Sequence, residues 1–396
     1  MTTTDTPTTT STPASAAPAA GEAPPAPDGA DAELGAAIGA FAERTVMAAI
    51  GAFELATVEL GMRLGLYDAL ATGPATSRQL AARAGIDTRY AREWLEQQAT
   101  AGIVAIDADP LDGDPDRRLF SLPAAHAACL LDPDSLACVA PLATFAAAGP
   151  GILPELVEAF RTGTGISFGG YGEWIRRAQE AANRPQFTNL LTTEWLPALP
   201  DVVARLESGP ARVADIGCGC GWASIALARG FPHATVDGYD SDGASIDDAR
   251  ANATAAGVDE RTRFVAADAA EATGAFDVEG GYDLVCCFEA LHDMAHPVEV
   301  LTAMRRLAAP DGTVFVVDER AADALTANDP DPVQRFFYAA SVLHCLPVGR
   351  SEPGSAATGT LLRTTTLERY AAEAGFASVE VLPVEHDMFR FYRLHP

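Results

Sequence analysis

The spacing of apolar residues changes along the chain and separates regions of different structure. Between residues 33 and 70, apolar side chains recur at intervals of three and four, which predicts helices. From residue 211 onward, short runs that suit buried strands alternate with helical patterns. That alternation is typical of a mostly parallel sheet with helices on both faces.

The second half of the chain is expected to form an α/β fold, a Rossmann-like domain with seven strands over residues 205–396. Its first five strands are predicted at 211–216, 235–240, 263–268, 282–288 and 313–319. Helical patterns lie at 222–230, 244–256, 297–308, 332–345 and 366–374. The last two strands, near 379–384 and 389–394, are close enough in sequence to pair antiparallel.

The first half is predicted to be a helical and winged-helix domain over residues 31–150. Ser77 can cap a helix that Gly85 ends, and Asp87 or Thr88 can open the next one. Two short strands, at 103–106 and 119–122, then enclose an acidic wing. Two short helices followed by a two-stranded wing indicate a winged helix.

Charge argues against DNA binding by this winged helix. The candidate recognition helix offers Arg89 and Arg92 but also Glu93 and Glu96, and the wing between the strands is rich in aspartate. A surface that binds DNA needs positive charge. We therefore expect no nucleic-acid partner and favour a dimerisation and lid module. A DNA-binding regulator that keeps an enzyme fold stays open as an alternative.

The ends of the first half carry two further expectations. Residues 1–30 are mostly Thr, Ala and Pro, so they bury too little surface to fold and should be a disordered tail. The helices of residues 33–70 are nearly apolar, with small residues such as Ala48 and Gly51 between the large ones. Such helices need a partner, and a second copy of the chain is the simplest one, which predicts a homodimer through these helices.

Composition narrows the classes of function. The formal net charge of −27 disfavours nucleic acid and anionic membranes, and all 27 basic residues are arginines, which excludes lysine-based covalent chemistry. Seven cysteines and the absence of a leader pattern predict reduced thiols and a cytoplasmic protein. No apolar run approaches the roughly 20 residues of a membrane span. The pair Cys218 and Cys220 lacks a second pair at zinc spacing, so no metal is expected.

The run VADIGCGCGW, from Val213 to Trp222, is the main candidate for a cofactor site. Gly217 and Gly219 follow a predicted strand directly and allow the sharp turn that brings a ligand against the backbone. A dinucleotide site would need glycine where Trp222 stands. Asp215 suits the cationic amino group of S-adenosylmethionine (SAM) better than a pyrophosphate.

Acidic residues at the ends of the next two strands complete the candidate SAM site. Asp240, with Ser241 beside it, is placed to accept both ribose hydroxyls. Asp268 can accept from the adenine amino group, and Ala269 can contribute backbone atoms there. Phe288, at the end of the fourth strand, is a further candidate for cofactor binding.

Residues 151–204 are predicted to link the two domains by helices and by a glycine-rich loop, GTGISFGGYGEWIRR. Tyr171 in this loop could close over the cofactor. An ordinary connection between helices explains the same residues equally well.

The motifs VADIGCGCG, GYDSD and AADA resemble the three cofactor motifs of class I SAM-dependent methyltransferases. The front half resembles the winged-helix dimerisation domain of small-molecule methyltransferases. The segments FEALHDMAHP and FFYAASVLHCLPVGR resemble a bacterial, largely actinobacterial, branch of that group. Members of the branch methylate oxygen, or indole carbon or nitrogen in tryptophan-derived natural products such as cyclic dipeptides. The resemblance implies SAM as cofactor and a small aromatic acceptor.

Candidate catalytic residues follow the fourth strand. His292 is the preferred general base because the pKa of a free histidine lies near working pH. Glu289, three residues earlier, shares a face with it if the turn is helical, and is the alternative base. In plant-type O-methyltransferases the base lies in a Leu-His-Asp segment, which matches the segment ending in His292 and Asp293, and a Glu after the fifth strand orients it, which matches Glu319.

One departure weakens the expectation of oxygen methylation. The second orienting glutamate of the family falls on Leu361 or Leu362 here. The incomplete set leaves room for an indole carbon or nitrogen, which needs less help from a base, beside a phenol oxygen. The acceptor pocket is predicted to include Phe337, Tyr338 and His344, although an aromatic stripe at helical spacing is often core.

Overall fold

The computed structural model describes residues 1–2, 29–109, 113–270, 281–325 and 331–396. The disordered tail predicted for residues 1–30 lies outside them except at its two ends. The chain divides into two units, residues 1–51 and residues 52–396. All seven cysteines lie in the described residues, and none is bonded to another.

The described residues contain sixteen α-helices. Ten precede the large sheet: α1 (Gly29–Arg63), α2 (Leu66–Ala71), α3 (Ser77–Ala84), α4 (Thr88–Thr100), α5 (Ala124–Leu130), α6 (Ala140–Ala148), α7 (Leu153–Thr162), α8 (Phe168–Tyr171), α9 (Glu173–Leu190) and α10 (Pro200–Ser208). Six accompany it: α11 (Trp222–Gly230), α12 (Gly243–Ala256), α13 (Pro297–Leu307), α14 (Pro332–Ala340), α15 (Leu346–Gly349) and α16 (Thr364–Glu373).

The strands form two sheets. A small one pairs β1 (Ala105–Ala108) with β2 (Leu119–Ser121). The large one contains β3 (Ala211–Ile216), β4 (Ala234–Asp240), β5 (Thr262–Ala266), β6 (Tyr282–Phe288), β7 (Ala308–Glu319), β8 (Ser378–Val381) and β9 (Phe389–His395).

The large sheet confirms the predicted Rossmann-like α/β fold. Its strand order is β5-β4-β3-β6-β7-β9-β8, with β9 antiparallel to both of its neighbours and the other pairings parallel. The chain adds β4 and β5 on one side of β3. It then crosses over and adds β6 and the later strands on the other side of β3. Such a reversal opens a crevice at the carboxyl ends of the two central strands, β3 and β6 here.

The core lies on both faces of this sheet because neighbouring strand residues point to opposite sides. In β3, Val213 joins one apolar layer, while Ala214 and Ile216 join the other. Helix α11 begins directly after the glycine turn and packs against the first layer through Ile225 and Leu227. This packing fixes the start of α11 beside the carboxyl end of β3.

The winged helix is present with small changes of boundary. Helix α3 begins at Ser77, and its cap is Thr76, whose side chain accepts from the backbone of Gln79. Asp87 caps α4 as predicted. Three arginines of the winged helix form ion pairs with acidic side chains: Arg89 with Glu93, Arg92 with Asp116, and Arg118 with Asp109 and Glu96. These ion pairs reduce the positive charge that the surface could offer to DNA.

The N-terminal helical region contains two helices, α1 and α2, where helices were predicted within residues 33–70. Helix α1 runs unbroken to Arg63, and the chain then turns at Gly65, whose φ is 64°. The expectation that no apolar run approaches a membrane span needs correction. By length and composition alone, Ala30–Arg63 and Ala140–Thr162 reach mean hydropathies of 1.4 and 1.2 over 18 residues. This measure does not show insertion into a membrane.

Candidate functional site

The turn after β3 is shaped by glycines in the left-handed region. Gly217, Gly219 and Gly221 have φ of 73°, 50° and 81°. The backbone N–H groups of Gly217 and Cys218 both donate to the carbonyl of Tyr239 in β4, at 2.7 and 3.0 Å. These bonds hold the turn against the neighbouring strand and close the crevice on that side.

The end of β4 braces the same turn. One carboxylate oxygen of Asp240 accepts from the backbone N–H of Gly219 at 2.9 Å, and the other accepts from Asp242 at 2.8 Å. Burial raises the pKa of Asp240. Each oxygen keeps a further lone pair for a ligand hydroxyl.

Asp215 lies below the turn and is buried. Its carboxylate accepts from the Ser224 hydroxyl in α11 at 2.7 Å. Burial raises the pKa of Asp215 to about 7, although the bond from Ser224 opposes the rise. A cation beside Asp215 would stabilise its charged form.

The other predicted cofactor residues lie in different settings. Asp268 accepts from the backbone N–H of Ala270 at 2.8 Å, which makes it a turn cap, and Ala269 is buried in the second apolar layer. Ser241 is exposed at the end of β4. Phe288 packs in the first layer, with its ring centroid 5.5 Å from that of Phe187.

These residues fit SAM at the carboxyl ends of β3 and β4. A Cβ atom built on Gly219 would meet nothing within 4 Å, so this part of the turn faces open space. At Gly217, by contrast, it would lie 2.6 Å from Cβ of Ala290. Carboxylates that accept hydrogen bonds suit a ligand with an ammonium group and ribose hydroxyls.

His292 lies at the centre of an acidic group at the ends of β6 and β7. Its Nδ1 lies 3.0 Å from Oδ1 of Asp318, which accepts its hydrogen bond, and 2.8 Å from Oε2 of Glu319. Its Nε2 lies 3.3 Å from Oδ1 of Asp293. The ring is 2% exposed. Because Nδ1 is bonded to Asp318 and lies close to Glu319, Nε2, which has only the longer contact with Asp293, is the nitrogen that can exchange a proton with a ligand.

The charges around His292 oppose the effect of burial. Burial lowers the pKa of His292, but the carboxylates of Glu319, Asp318 and Asp293 together hold it well above the usual value. Burial raises the pKa of Glu319 to about 8, against the influence of His292. The ring is therefore a strong base once its proton has left.

Glu289 does not share a helical face with His292. It lies before the turn of Leu291–Asp293, with φ of 51°, which is unusual for a residue with a side chain. Burial and the charge of Glu319 raise its pKa well above the usual value. A carboxyl in this state keeps its proton near neutral pH and is a poor base there.

The acceptor-side candidates lie around a π-helical turn at Ser341–Cys345, which interrupts the single helix predicted for 332–345. His344 is buried, and its Nε2 lies 3.8 Å from Oδ2 of Asp293. The Tyr171 hydroxyl donates to the carbonyl of Leu343 at 2.9 Å, and its ring meets His344 edge-on at 4.6 Å. Tyr171 thus packs against the π-helical turn that carries His344.

Phe337 and Tyr338 are less closely tied to His292. Phe337 is buried, and the Tyr338 hydroxyl accepts from Arg363 at 3.1 Å. Leu362, one of the two positions on which the family's second glutamate is predicted to fall, is buried in the second apolar layer.

Sequence reasoning missed the contribution of α9. Gln179 lies 3.2 Å from His344 through its amide nitrogen, and Glu180 accepts from the Trp222 indole at 2.9 Å. The only signal was the helical spacing of polar residues along 173–190. Among the described residues, two sets of side chains have atoms that could bind a metal ion within 4.8 Å of one another: His292 with Asp318 and Glu319, and His292 with Asp293 and Cys345.

Comparisons with known proteins agree with this geometry. Residues 208–344 match the family described as "Methyltransferase domain", and residues 52–131 match the "Rv2258c-like winged HTH domain". The ubiquinone biosynthesis O-methyltransferase of Pseudomonas aeruginosa (strain LESB58) is 28% identical over 208 residues, which cover 52% of this chain and 79% of that protein.

Two solved structures are similar over most of the chain. The mitomycin 7-O-methyltransferase MmcR is 23% identical with a TM-score of 0.62, over 91% of this chain and 99% of its own. Human N-acetylserotonin methyltransferase in complex with SAM is 17% identical with a TM-score of 0.58, over 89% and 97%. At these identities the likeness shows a shared fold.

Proposed function

We propose that this SAM-dependent methyltransferase, which joins a winged helix-turn-helix domain to a Rossmann-like methyltransferase domain, methylates a hydroxyl group of a small aromatic molecule. The observation that carries the proposal is the clamp on His292. Asp318 and Glu319 hold Nδ1 at 3.0 and 2.8 Å and direct Nε2 away from them. A histidine held in this way can remove the proton of a phenol.

The glycine turn and three aspartates are the residues that would hold the cofactor. Asp215 would lie near the ammonium group, Asp240 would accept from the ribose, and Asp268 with Ala269 would contact the adenine. Bound SAM supplies an electrophilic methyl group on a sulfonium. The chain itself holds the acceptor in line and removes its proton.

The protonation of His292 sets when this chemistry can begin. The carboxylates favour the imidazolium ion, whereas a positive charge brought into the site favours the neutral ring. The neutral ring accepts the hydroxyl proton at Nε2, and the resulting imidazolium ion is stabilised by Asp318 and Glu319. Glu289 keeps its own proton and leaves this role to His292.

An indole acceptor is the second candidate, with methylation at carbon or nitrogen of a tryptophan-derived compound such as a cyclic dipeptide. Attack by an indole carbon leaves a positive charge on the ring. Asp293, Asp318 and Glu319 surround His292 with negative charge that would stabilise it. A leucine, Leu361 or Leu362, in place of the family's second glutamate also fits a reaction with less need for a base.

An acceptor screen tests both candidates. Full-length protein and SAM are incubated with phenols, indoles and Trp-containing cyclic dipeptides, and products are analysed by mass spectrometry for the increment of one methyl group. We expect a phenolic product that is lost in His292→Ala while binding of S-adenosylhomocysteine (SAH) is retained. An indole product that survives in His292→Ala would favour the second candidate, and turnover of phenols by His292→Ala would refute the base role.

We also propose that the enzyme is a cytoplasmic homodimer that acts in natural-product biosynthesis. In the first unit, Phe41 and Met47 are 68% and 60% exposed on α1, a pattern that favours a second copy as partner. Light scattering with size-exclusion chromatography tests this. The full chain should elute as a dimer and Phe41→Asp as a monomer, whereas a monomeric full chain would exclude the homodimer.

A further inference from the structure

We propose that Glu180 is a positioning residue for the SAM site, although it lies in α9, outside the sheet that carries the cofactor motifs. Its Oε1 accepts two hydrogen bonds, from Nε1 of Trp222 at 2.9 Å and from Nδ2 of Asn252 at 2.8 Å. Trp222 is the first residue of α11 and follows the glycine turn directly. One carboxylate oxygen of α9 therefore joins the start of α11, directly after the glycine turn, to helix α12.

The side of the glycine turn that faces α12 needs such support. Asn252 uses the same Nδ2 atom to donate to the carbonyl of Cys220 at 3.0 Å, within the turn itself. The side that faces β4 is bonded to Tyr239 and Asp240 of that strand. Glycines in the left-handed region have few side-chain constraints of their own, so the shape of the turn depends on bonds from outside.

The Trp222 ring is held on its face as well as at its edge. The guanidinium of Arg184, one turn further along α9, lies 4.0 Å from the ring centroid. Arg184 is itself fixed by two hydrogen bonds to Asp134, at 2.6 and 3.0 Å. Trp222 thus adopts one orientation, in which its indole N–H points to Glu180.

Helix α9 also reaches the acceptor side of the site from the same turns. Gln179 contacts His344 at 3.2 Å, and the side chain of Asn183 reaches the carboxyl of Glu289. One helix therefore contacts both the cofactor turn and the residues around His292. The inference rests on SAM binding and does not depend on which acceptor is used.

Binding of SAH, measured by calorimetry on the full chain, tests the inference without an acceptor. Glu180→Ala removes both bonds, and we expect SAH binding to weaken about tenfold, which corresponds to about 1.4 kcal/mol. Glu180→Gln keeps an acceptor oxygen with two lone pairs, so it should bind SAH within about twofold of the wild type. Arg177→Ala is the matched control, since Arg177 is exposed on the same helix and pairs with Glu173.

The pattern across variants separates positioning from general stability. Trp222→Phe removes one of the two bonds but keeps a smaller aromatic ring at this position, and should weaken SAH binding by a few fold even if Glu180→Ala does not fold. Wild-type affinity in both Glu180→Ala and Trp222→Phe would overturn the inference. So would a Glu180→Gln variant as weak as Glu180→Ala, because the charge and not the acceptor atom would then matter. A failure to methylate any acceptor would leave these SAH measurements readable.

Discussion

The two faces of the glycine turn should respond differently to the same added methyl group. Gly219→Ala and Gly217→Ala both place a Cβ on a left-handed residue, with φ of 50° and 73°. At Gly219 the new atom meets nothing within 4 Å, whereas at Gly217 it meets Cβ of Ala290 at 2.6 Å and Cε of Met294 at 3.0 Å. Gly257, at the end of α12, has φ of 69° and open space around it, far along the chain from the turn.

These distances give the expected loss of stability. A left-handed alanine costs about 1 kcal/mol relative to glycine, and this cost applies to all three variants. Gly217→Ala adds a contact that real Cβ atoms do not tolerate, and overpacking of this kind costs a further ~1–3 kcal/mol. The free energy of unfolding should therefore fall by about 1 kcal/mol in Gly219→Ala and Gly257→Ala, and by about 2–4 kcal/mol in Gly217→Ala.

Affinity for SAH separates the two variants of equal stability. If the open space beside Gly219 is where the cofactor lies, its added methyl group competes with the ligand, and we expect SAH binding at least tenfold weaker. Gly257→Ala should bind SAH like the wild type. Denaturant unfolding gives the stabilities, and calorimetry gives the affinities.

Two results would refute this reasoning. Wild-type SAH affinity in Gly219→Ala would mean that the cofactor does not lie against this face of the turn. Equal stability of Gly217→Ala and Gly257→Ala would mean that the close approach of the turn to Ala290 is not part of the folded structure.

Three further predictions concern charge. Glu319→Gln removes a charge that raises the pKa of His292, so the acidic limb of the pH–turnover profile should move to lower pH; an unmoved limb would separate Glu319 from the base. Asp318→Asn and Glu319→Gln should each lower turnover less than tenfold, while the double variant should lose far more than their product, because either carboxylate can hold Nδ1. Burial raises the pKa of Asp215 to about 7, so its carboxyl is mostly neutral below that pH and charged above it. SAH should therefore bind more tightly as the pH rises through about 7, and Asp215→Asn should remove this dependence of SAH affinity on pH.

Much of the fold could be predicted because strand and helix patterns in the second half are strong. The boundaries of β3 and β6 agree with prediction, and those of α11 do too. In the first half, the alanine-rich pattern predicts helices over residues 33–70 but not the boundary between them, because apolar residues recur on both sides of the break between Arg63 and Leu66. The π-helical turn at Ser341–Cys345 has the same apolar spacing as an α-helix, so periodicity does not reveal it.

The candidate site was predictable where its residues follow strand ends. Asp215, Asp240 and His292 lie at the carboxyl edge of the sheet because parallel strands bring their ends together. The contacts of Gln179 and Glu180 depend on how α9 packs over that edge, which a single sequence does not encode in any local motif. Tyr171 stays a prediction as a cover for the cofactor, and its hydroxyl bond to the carbonyl of Leu343 depends on a contact between segments that are distant in sequence.

The local arrangement at the end of β7 explains how a site without the family's second glutamate can still hold its histidine. Neighbouring strand residues normally point to opposite faces, but β7 ends at Glu319, so the side chains of Asp318 and Glu319 both reach Nδ1 of His292. Together with Asp293, they set the proton affinity of the ring from two short segments. The region around Leu362 is then free to be apolar, and under the proposed function residues that shape the acceptor pocket can vary without changing the proton affinity of His292.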